Sequence, residues 1–179
     1  IGSQYLELAS AQFDKDYTVI YCEAEFFGEK NEKWKLPNFN FDNLLLFNHI
    51  YCSAFFKRSD WCKVNGYDLK LIYGREDWDF WLSILDKDSK VKKLNYDGFY
   101  YRRKDESMDT IINLDYKKIK FSEEYIFKKH ILKYLDTDKN ILETYKALKS
   151  NLLNYQRINK EINKNLLTRI LYKIIEILN

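Results

Sequence analysis

Residue types that build metal sites and disulfide frameworks are scarce in this sequence of 179 residues. Two histidines, His49 and His130, and three cysteines without C-x-x-C spacing do not supply the roughly four clustered ligands of a structural zinc site. Because the number of cysteines is odd, we expect Cys22, Cys52 and Cys62 to be reduced thiols in a cytosolic protein. A zinc-stabilised or disulfide-stapled domain is therefore excluded.

Long apolar runs are also missing, and glycine and proline are rare. No run approaches the roughly 20 apolar residues that a membrane-spanning helix needs, and no secretory signal is present. The sequence starts at Ile1 rather than at methionine, so we expect a piece of a longer protein. Since 46% of the residues are apolar and 17% are aromatic, wholesale disorder is not expected.

The charge is unevenly divided along the chain. Residues 1–109 hold 16 basic and 19 acidic side chains, a net charge of −3, whereas residues 110–179 hold 14 basic and 8 acidic ones, a net charge of +6. The basic part favours an anionic surface or partner. Its basic residues alternate with acids and no RNA-binding or zinc motif is present, so nucleic acid is not an expected partner.

The pattern of apolar residues changes near residue 110. Before it, predicted helices and strands alternate: helices at 3–13, 42–47, 59–66 and 76–87, strands at 17–22, 53–57, 91–94 and 99–103, and a hairpin over 23–34. After it the pattern is helical throughout, with helices predicted at 122–135 and 137–153. This order predicts part of an α/β layer in residues 1–109 and a helical extension in residues 110–179.

The stretch from Gly74 to Leu82 carries the most informative acid. On a helix with about 100° per residue, Asp77 falls inside the apolar arc, whereas Glu76 and Asp79 fall outside it. The other members of that arc are Trp78, Phe80, Trp81, Leu82, Ile84 and Leu85.

A carboxylate among aromatic side chains is costly unless something compensates for its burial. The first turn of a helix offers compensation, because the positive end of the helix dipole favours an ionised acid there. Such an acid could point into a cleft and act as a general base. The alternative interpretation is a capping acid beside ordinary core aromatics. Asp77 and Asp79 point to different faces of the helix, so no metal site is predicted from them.

Three stretches, in this order and spacing, resemble the second half of the bacterial family 2 glycosyltransferases with the GT-A fold, which is Rossmann-like. The stretch 48–68 is similar to the strand, arginine-serine turn and glycine-phenylalanine-aspartate segment of that family, with Arg58-Ser59 and Gly66-Tyr-Asp68. The stretch 73–81 is similar to its glutamate-aspartate helix, and 100–107 to its closing strand. The resemblance covers roughly residues 5–110 and implies a partial GT-A domain followed by a helical extension.

The resemblance implies an inverting transfer of a sugar from a nucleotide-sugar donor to a saccharide or lipid-linked acceptor, in cell-surface polysaccharide synthesis. Asp77 would deprotonate the acceptor hydroxyl, and Glu76 would orient the acceptor or the helix start. Trp78 and Trp81 would form a flat wall for an acceptor sugar, although Trp81 also fits the core.

The closing strand would supply positive charge near the donor diphosphate. Arg102, Arg103 and Lys104 are the candidates, because cations there stabilise the leaving group. The alternative is an exposed basic strand end. The family often has a histidine near the position of Lys104, and a protonated lysine cannot ligate a metal, so metal dependence is left open.

The donor-binding half of the family is missing from this sequence. That half carries an Asp-x-Asp motif, which binds a divalent cation (Mg or Mn) together with the sugar nucleotide. The four Asp-x-Asp triplets of this chain, which begin at Asp14, Asp77, Asp86 and Asp136, do not match the position of that motif. We therefore expect a divalent cation in the complete enzyme, no metal ligands in this chain, and no turnover by these residues alone.

The C-terminal segment 165–179 forms an amphipathic pattern, with its leucines and isoleucines on one side and Arg169, Lys173 and Glu176 on the other. Such a helix can lie on an anionic membrane surface, where lipid-linked acceptors are found, or pack against another helix. We expect a cytoplasmic protein whose tail contacts the inner face of the cell membrane. The competing hypothesis is a non-enzymatic helical module that binds a membrane surface or a partner protein.

Overall fold

The structure is a computed structural model that describes residues 1–104, 115–136, 143, 146–161 and 164. The chain divides into two compact units, Ile1–Tyr134 and Leu135–Asn179. The first unit combines a four-stranded mixed sheet with short helices, which confirms the predicted mixed α/β class. In the second unit, residues 146–161 are helical.

Short elements follow one another up to residue 135. The helices are α1 (Tyr5–Ser10), α2 (Phe41–Leu46), α3 (Arg58–Lys63), α4 (Glu76–Ile84), α5 (Tyr116–Lys129) and α6 (Ile131–Leu135), with a 3₁₀ turn at Phe13–Lys15. The strands are β1 (Val19–Gly28), β2 (Glu32–Trp34), β3 (Phe55–Phe56) and β4 (Val91–Arg103).

Strand β1 is the centre of the sheet. β4 runs parallel to it from the pair Val19–Val91 to the pair Gly28–Arg103. On its other edge, β1 pairs antiparallel with β3 near its start and with β2 near its end, so the predicted hairpin is confirmed. Parallel strands need a long crossover between them. Here the crossover contains α2, β3, α3 and α4.

Two hydrophobic clusters cover the two faces of β1. Val19 and Tyr21 belong to the larger cluster, whereas Ile20 and Cys22 belong to the smaller one, because successive strand residues point to opposite faces. Helix α1 packs into the smaller cluster. Helix α4 supplies much of the larger one through Trp78, Phe80, Trp81 and Leu82.

Helix α5 is part of the first unit. Its N-terminus is capped by Asp115, whose side chain accepts hydrogen bonds from the backbone N–H groups of Lys117 and Lys118. Ile126 is fully buried in the larger cluster, and Ser122, where a helix was predicted to start, is buried within α5. Packing of α5 therefore joins it to the first unit, which ends at Tyr134. The domain boundary between residues 109 and 110 stays a prediction.

Other predicted boundaries shift for local reasons. β4 is one strand of 13 residues where two were predicted, and a register irregularity opposite Cys22–Ala24 accommodates the interruption. Asn40 rather than Asp42 caps α2, because its side chain accepts the N–H of Asn43 at 2.8 Å. Among the described residues, no helix has both the length and the apolar character needed to cross a bilayer.

Candidate functional site

A strained loop precedes α4 and sets its start. Four residues between α3 and α4 have φ between 60° and 85°, namely Asn65, Gly66, Gly74 and Arg75. Glycine adopts such angles at little cost. At Gly66 an added Cβ would also lie 2.6 Å from the ring of Trp61, so only glycine fits this turn. The loop ends directly before Glu76 and Asp77, which occupy the first turn of α4.

Asp77 is half-buried at this helix start. Its Oδ1 accepts a hydrogen bond from the backbone N–H of Trp78 at 2.8 Å, and the side chain of Asn48 forms a second one with the carboxylate. Burial raises the pKa of Asp77 to about 6; the charge of Glu76 also raises it, while the two hydrogen bonds oppose the increase. A carboxyl with this pKa is ionised at neutral pH and basic enough to accept a proton.

Side chains from two other segments lie within electrostatic reach of Asp77. Burial raises the pKa of Tyr67 to about 12, and the negative charges of Asp77 and Glu76 contribute to the increase. Burial and the same two carboxylates also raise the pKa of the Cys52 thiol. The candidate site therefore combines two acids with a neutral phenol and a neutral thiol.

Asp79, two residues further along α4, is the acid that the core encloses. Only 1% of it is exposed. The ammonium group of Lys129 donates to its Oδ2 at 2.7 Å, and Nε2–H of His130 donates to its Oδ1 at 2.8 Å. The helical wheel had placed Asp79 outside the apolar arc of α4. In the fold, α5 covers that side of the helix with its own polar groups.

Trp78 and Trp81 are core residues in this fold. Their exposed fractions are 5% and 0%, and each indole N–H donates to a backbone carbonyl, Trp78 to Leu44 at 2.6 Å and Trp81 to Ile50 at 2.8 Å. A sugar ring needs an exposed aromatic face to stack on. Neither ring offers such a face. The indole of Trp78 holds α2 against α4, and that of Trp81 holds the segment between α2 and β3 against it.

The basic residues predicted to bind diphosphate lie at the end of β4. Arg102 pairs in register with Phe27 of β1, and Arg103 pairs with Gly28. The guanidinium of Arg103 also lies 5.3 Å from the ring centre of Phe26. The side chains of Arg102 and Lys104 are exposed.

Among the described residues, no three side chains of histidine, cysteine, aspartate or glutamate lie close enough together to hold a metal ion. The cation expected for the complete enzyme remains a prediction from the resemblance. No step of the reaction proposed for this chain is assigned to it.

A polar cavity of about 390 Å³ lies beside β1, β2 and β4. Its wall includes two ion pairs, Lys93 with Glu23 at 2.6 Å and Lys33 with Asp97 at 2.7 Å, together with the ring of Trp34. Asp77 is not among its lining residues. The cavity and the Asp77 site are therefore separate features of the first unit.

Comparison of the chain with protein-family models, with curated proteins and with solved structures found no match.

Sequence reasoning missed the groups that contact or surround Asp77 from other segments. Asn48 lies within the motif compared with the glycosyltransferases, yet nothing in its spacing indicates a hydrogen bond to Asp77. Tyr67 could have been identified, because it is the middle residue of the Gly-Tyr-Asp segment that resembles the family. Lys129 and His130 offered no local signal, because their partner Asp79 lies about fifty residues earlier in the chain.

Proposed function

We propose that the first unit is the acceptor-side half of a family 2-type glycosyltransferase domain with the GT-A fold, and that Asp77 is its general base. The observation that carries the proposal is the half-buried carboxylate at the start of α4, whose pKa is raised to about 6. The parallel pair of β1 and β4, joined by a crossover that contains α4, also supports it.

In the proposed reaction, Asp77 takes the proton from an acceptor hydroxyl. The oxygen of that hydroxyl then attacks the anomeric carbon of the donor sugar from the face opposite the leaving group. The bond between this carbon and the phosphate oxygen breaks, and the nucleotide diphosphate leaves with the electron pair. The new glycosidic bond has inverted configuration, and the proton remains on Asp77.

Two further sets of charges have supporting roles in this proposal. Glu76, beside Asp77 in the first turn of α4, orients the acceptor through a hydrogen bond to a second hydroxyl. The exposed cations Arg102 and Lys104 stabilise negative charge that develops on the leaving diphosphate. Acceptors of this class are saccharides or lipid-linked saccharides used in cell-surface polysaccharide synthesis.

The pH dependence of turnover tests the role of Asp77. A general base must be ionised, and burial raises the pKa of this carboxyl to about 6. We therefore expect kcat/KM to rise about tenfold per pH unit below pH 6 and to level off above pH 7. The measurement uses the protein encoded by the complete gene to which this chain belongs. Release of nucleotide diphosphate is followed between pH 5 and pH 8 for each nucleotide sugar of a panel. A flat profile, measured where circular dichroism shows an unchanged fold, would contradict the assignment.

The second candidate function is a helical module that binds an anionic membrane surface. The observation that favours it is the helix at 146–161, where four basic residues accompany one acidic residue. Large apolar side chains are exposed on the same helix, namely Leu148, Leu152, Leu153, Tyr155 and Ile158. The segment 165–179, from which membrane contact was predicted, lies outside the described residues.

Vesicle binding tests this candidate directly. Replacement of Leu148 and Leu152 by glutamine, or deletion of residues 165–179, should reduce co-sedimentation with vesicles of anionic phospholipid at least several-fold, because both changes remove apolar side chains from a basic part of the chain. Neutral vesicles serve as the control for charge. Equal sedimentation of the altered and unaltered chains would remove the membrane function.

A further inference from the structure

Lys129, near the end of α5, joins two separate parts of the first unit. Its ammonium group donates to Asp79 Oδ2 at 2.7 Å and to Asp68 Oδ2 at 2.9 Å. Asp79 belongs to α4, whereas Asp68 belongs to the strained loop between α3 and α4. One side chain of α5 therefore holds the helix and the loop at a fixed separation.

Neighbouring residues of α5 and α6 strengthen the same attachment. The hydroxyl of Tyr125 donates to Asp68 Oδ2 at 2.9 Å, and Nε2–H of His130 donates to Asp79 Oδ1 at 2.8 Å. At the other end of α4, the ammonium group of Lys133 donates to the carbonyl oxygens of Leu82 and Leu85. A cation at this end also interacts favourably with the helix dipole.

Both parts held in this way border Asp77. Asp79 lies two residues after Asp77 in α4, and Asp68 directly follows Tyr67, whose pKa responds to the charge of Asp77. The contacts made by α5 therefore reach segments on both sides of Asp77, the first part of α4 and the loop that carries Tyr67.

We propose that Lys129 is a positioning residue, assisted by Tyr125 and His130, which sets the burial of the Asp77 carboxylate by fixing α4 against the loop that carries Tyr67. The proposal rests on the proposed function only for its catalytic consequence. Its structural content, a constraint from α5 on the surroundings of Asp77, holds whatever reaction the chain supports.

Replacement of Lys129 has two effects of opposite sign on the pKa of Asp77. In the Lys129→Gln variant, loss of a positive charge would by itself make the carboxyl of Asp77 easier to protonate and raise its pKa. Loosening of the loop from α4 would instead admit water to Asp77 and lower its pKa toward the ordinary value. The positioning role thus predicts a decrease, which loss of the charge alone cannot produce.

The experiment is a carboxyl ¹³C NMR titration of Asp77 in the 179-residue chain. We expect Lys129→Gln to increase the acid dissociation constant of Asp77 at least threefold and to speed hydrogen exchange of the first amides of α4 about tenfold. Lys129→Arg, which keeps a cation in reach of both aspartates, should restore most of each change. Lys128→Gln is the matched control, because Lys128 is the adjacent residue, 74% exposed, and pairs only at 3.7 Å with Glu124.

An unchanged or increased Asp77 pKa in Lys129→Gln would overturn the positioning role. If that variant does not fold, Tyr125→Phe removes only the hydrogen bond to Asp68, and the same outcomes apply: a lower Asp77 pKa supports the proposal and an unchanged one overturns it. Failure of the proposed function is recognised separately, because the titration and the exchange rates require no turnover. In the complete gene product, Lys129→Gln should lower kcat more than it changes KM.

Discussion

Replacement of Asp77 by asparagine is expected to lower turnover by about 10²–10⁴-fold, because asparagine cannot accept a proton from the acceptor hydroxyl. The change is nearly isosteric. The side-chain oxygen of asparagine can still accept the hydrogen bond from the N–H of Trp78, so the start of α4 keeps its geometry. The measurement is release of nucleotide diphosphate by the complete gene product at pH 7.5, with and without acceptor.

The same substitution should increase the stability of the fold. Burial raises the pKa of Asp77 from 3.8 to about 6, so the folded chain binds this proton more tightly than the unfolded chain does. The free energy of unfolding therefore falls as pH rises from about 4 to about 6, and ionised Asp77 costs up to about 3 kcal/mol at higher pH. We expect Asp77→Asn to gain about 1–3 kcal/mol at pH 7.5 and little at pH 4.5, as measured by urea unfolding.

The two results together distinguish a catalytic acid from a capping acid. Asp88→Asn is the matched control, because Asp88 is an exposed acid shortly after the same helix and should change neither turnover nor stability appreciably. A stabilised Asp77→Asn variant with normal turnover would refute the general base. Loss of turnover together with loss of stability would show instead that the carboxylate holds the helix start together.

Elements with strong local signals were predictable from the sequence. The β-branched and aromatic run at 17–22 predicts the central strand, and the polar turn after Gly28 predicts the hairpin. Both are present in the structure. Gly66, at the end of a predicted helix, lies shortly after α3, which ends at Lys63, and has φ of 73°. Each of these depends on a few consecutive residues, whose backbone preferences are not overruled by distant packing.

Features that depend on contacts between distant segments were not predictable. A helical wheel describes α4 as if one side faced water, and it therefore placed Asp79 on a solvated face. The fold covers that face with α5, which brings Lys129 and His130 to Asp79. The place of α5 in the first unit has the same origin, because the contribution of Ile126 to the core depends on packing rather than on periodicity.

Of the residues at the candidate site that come from separate segments, only Asp77 and its neighbour Glu76 could be selected from the sequence. Asp77 stood out because a carboxylate at a helix start fell within an apolar arc. Asn48, Cys52 and Tyr67 reach it from segments that are separate in sequence, and single residues of these types are common in loops. The acceptor wall at Trp78 and Trp81 was implied by the resemblance, which does not give the depth of a side chain, and both rings are buried.

Replacement of Asp79 by asparagine should have the opposite effect on stability from the same change at Asp77. Asp79 is 1% exposed and accepts hydrogen bonds from Lys129 at 2.7 Å and His130 at 2.8 Å. Removing one member of a buried ion pair leaves its partner desolvated and unpaired, which costs about 3 kcal/mol. Because Lys129 keeps its second bond to Asp68, the loss should lie at the lower end of such effects.

Urea unfolding of the two variants at pH 7.5 gives a direct comparison, since the substitution is the same and the positions are two residues apart in one helix. We expect Asp79→Asn to lower the free energy of unfolding and Asp77→Asn to raise it.

The double variant Asp79→Asn, Lys129→Gln should lose about 1 kcal/mol less than the sum of the single changes, because the two side chains contact each other. Additive losses would show that the pair contributes no coupling, and a neutral Asp79→Asn would show that α5 does not enclose this carboxylate. In either case the attachment to α4 would have to rest on Ile126 of α5 and Lys133 of α6 instead.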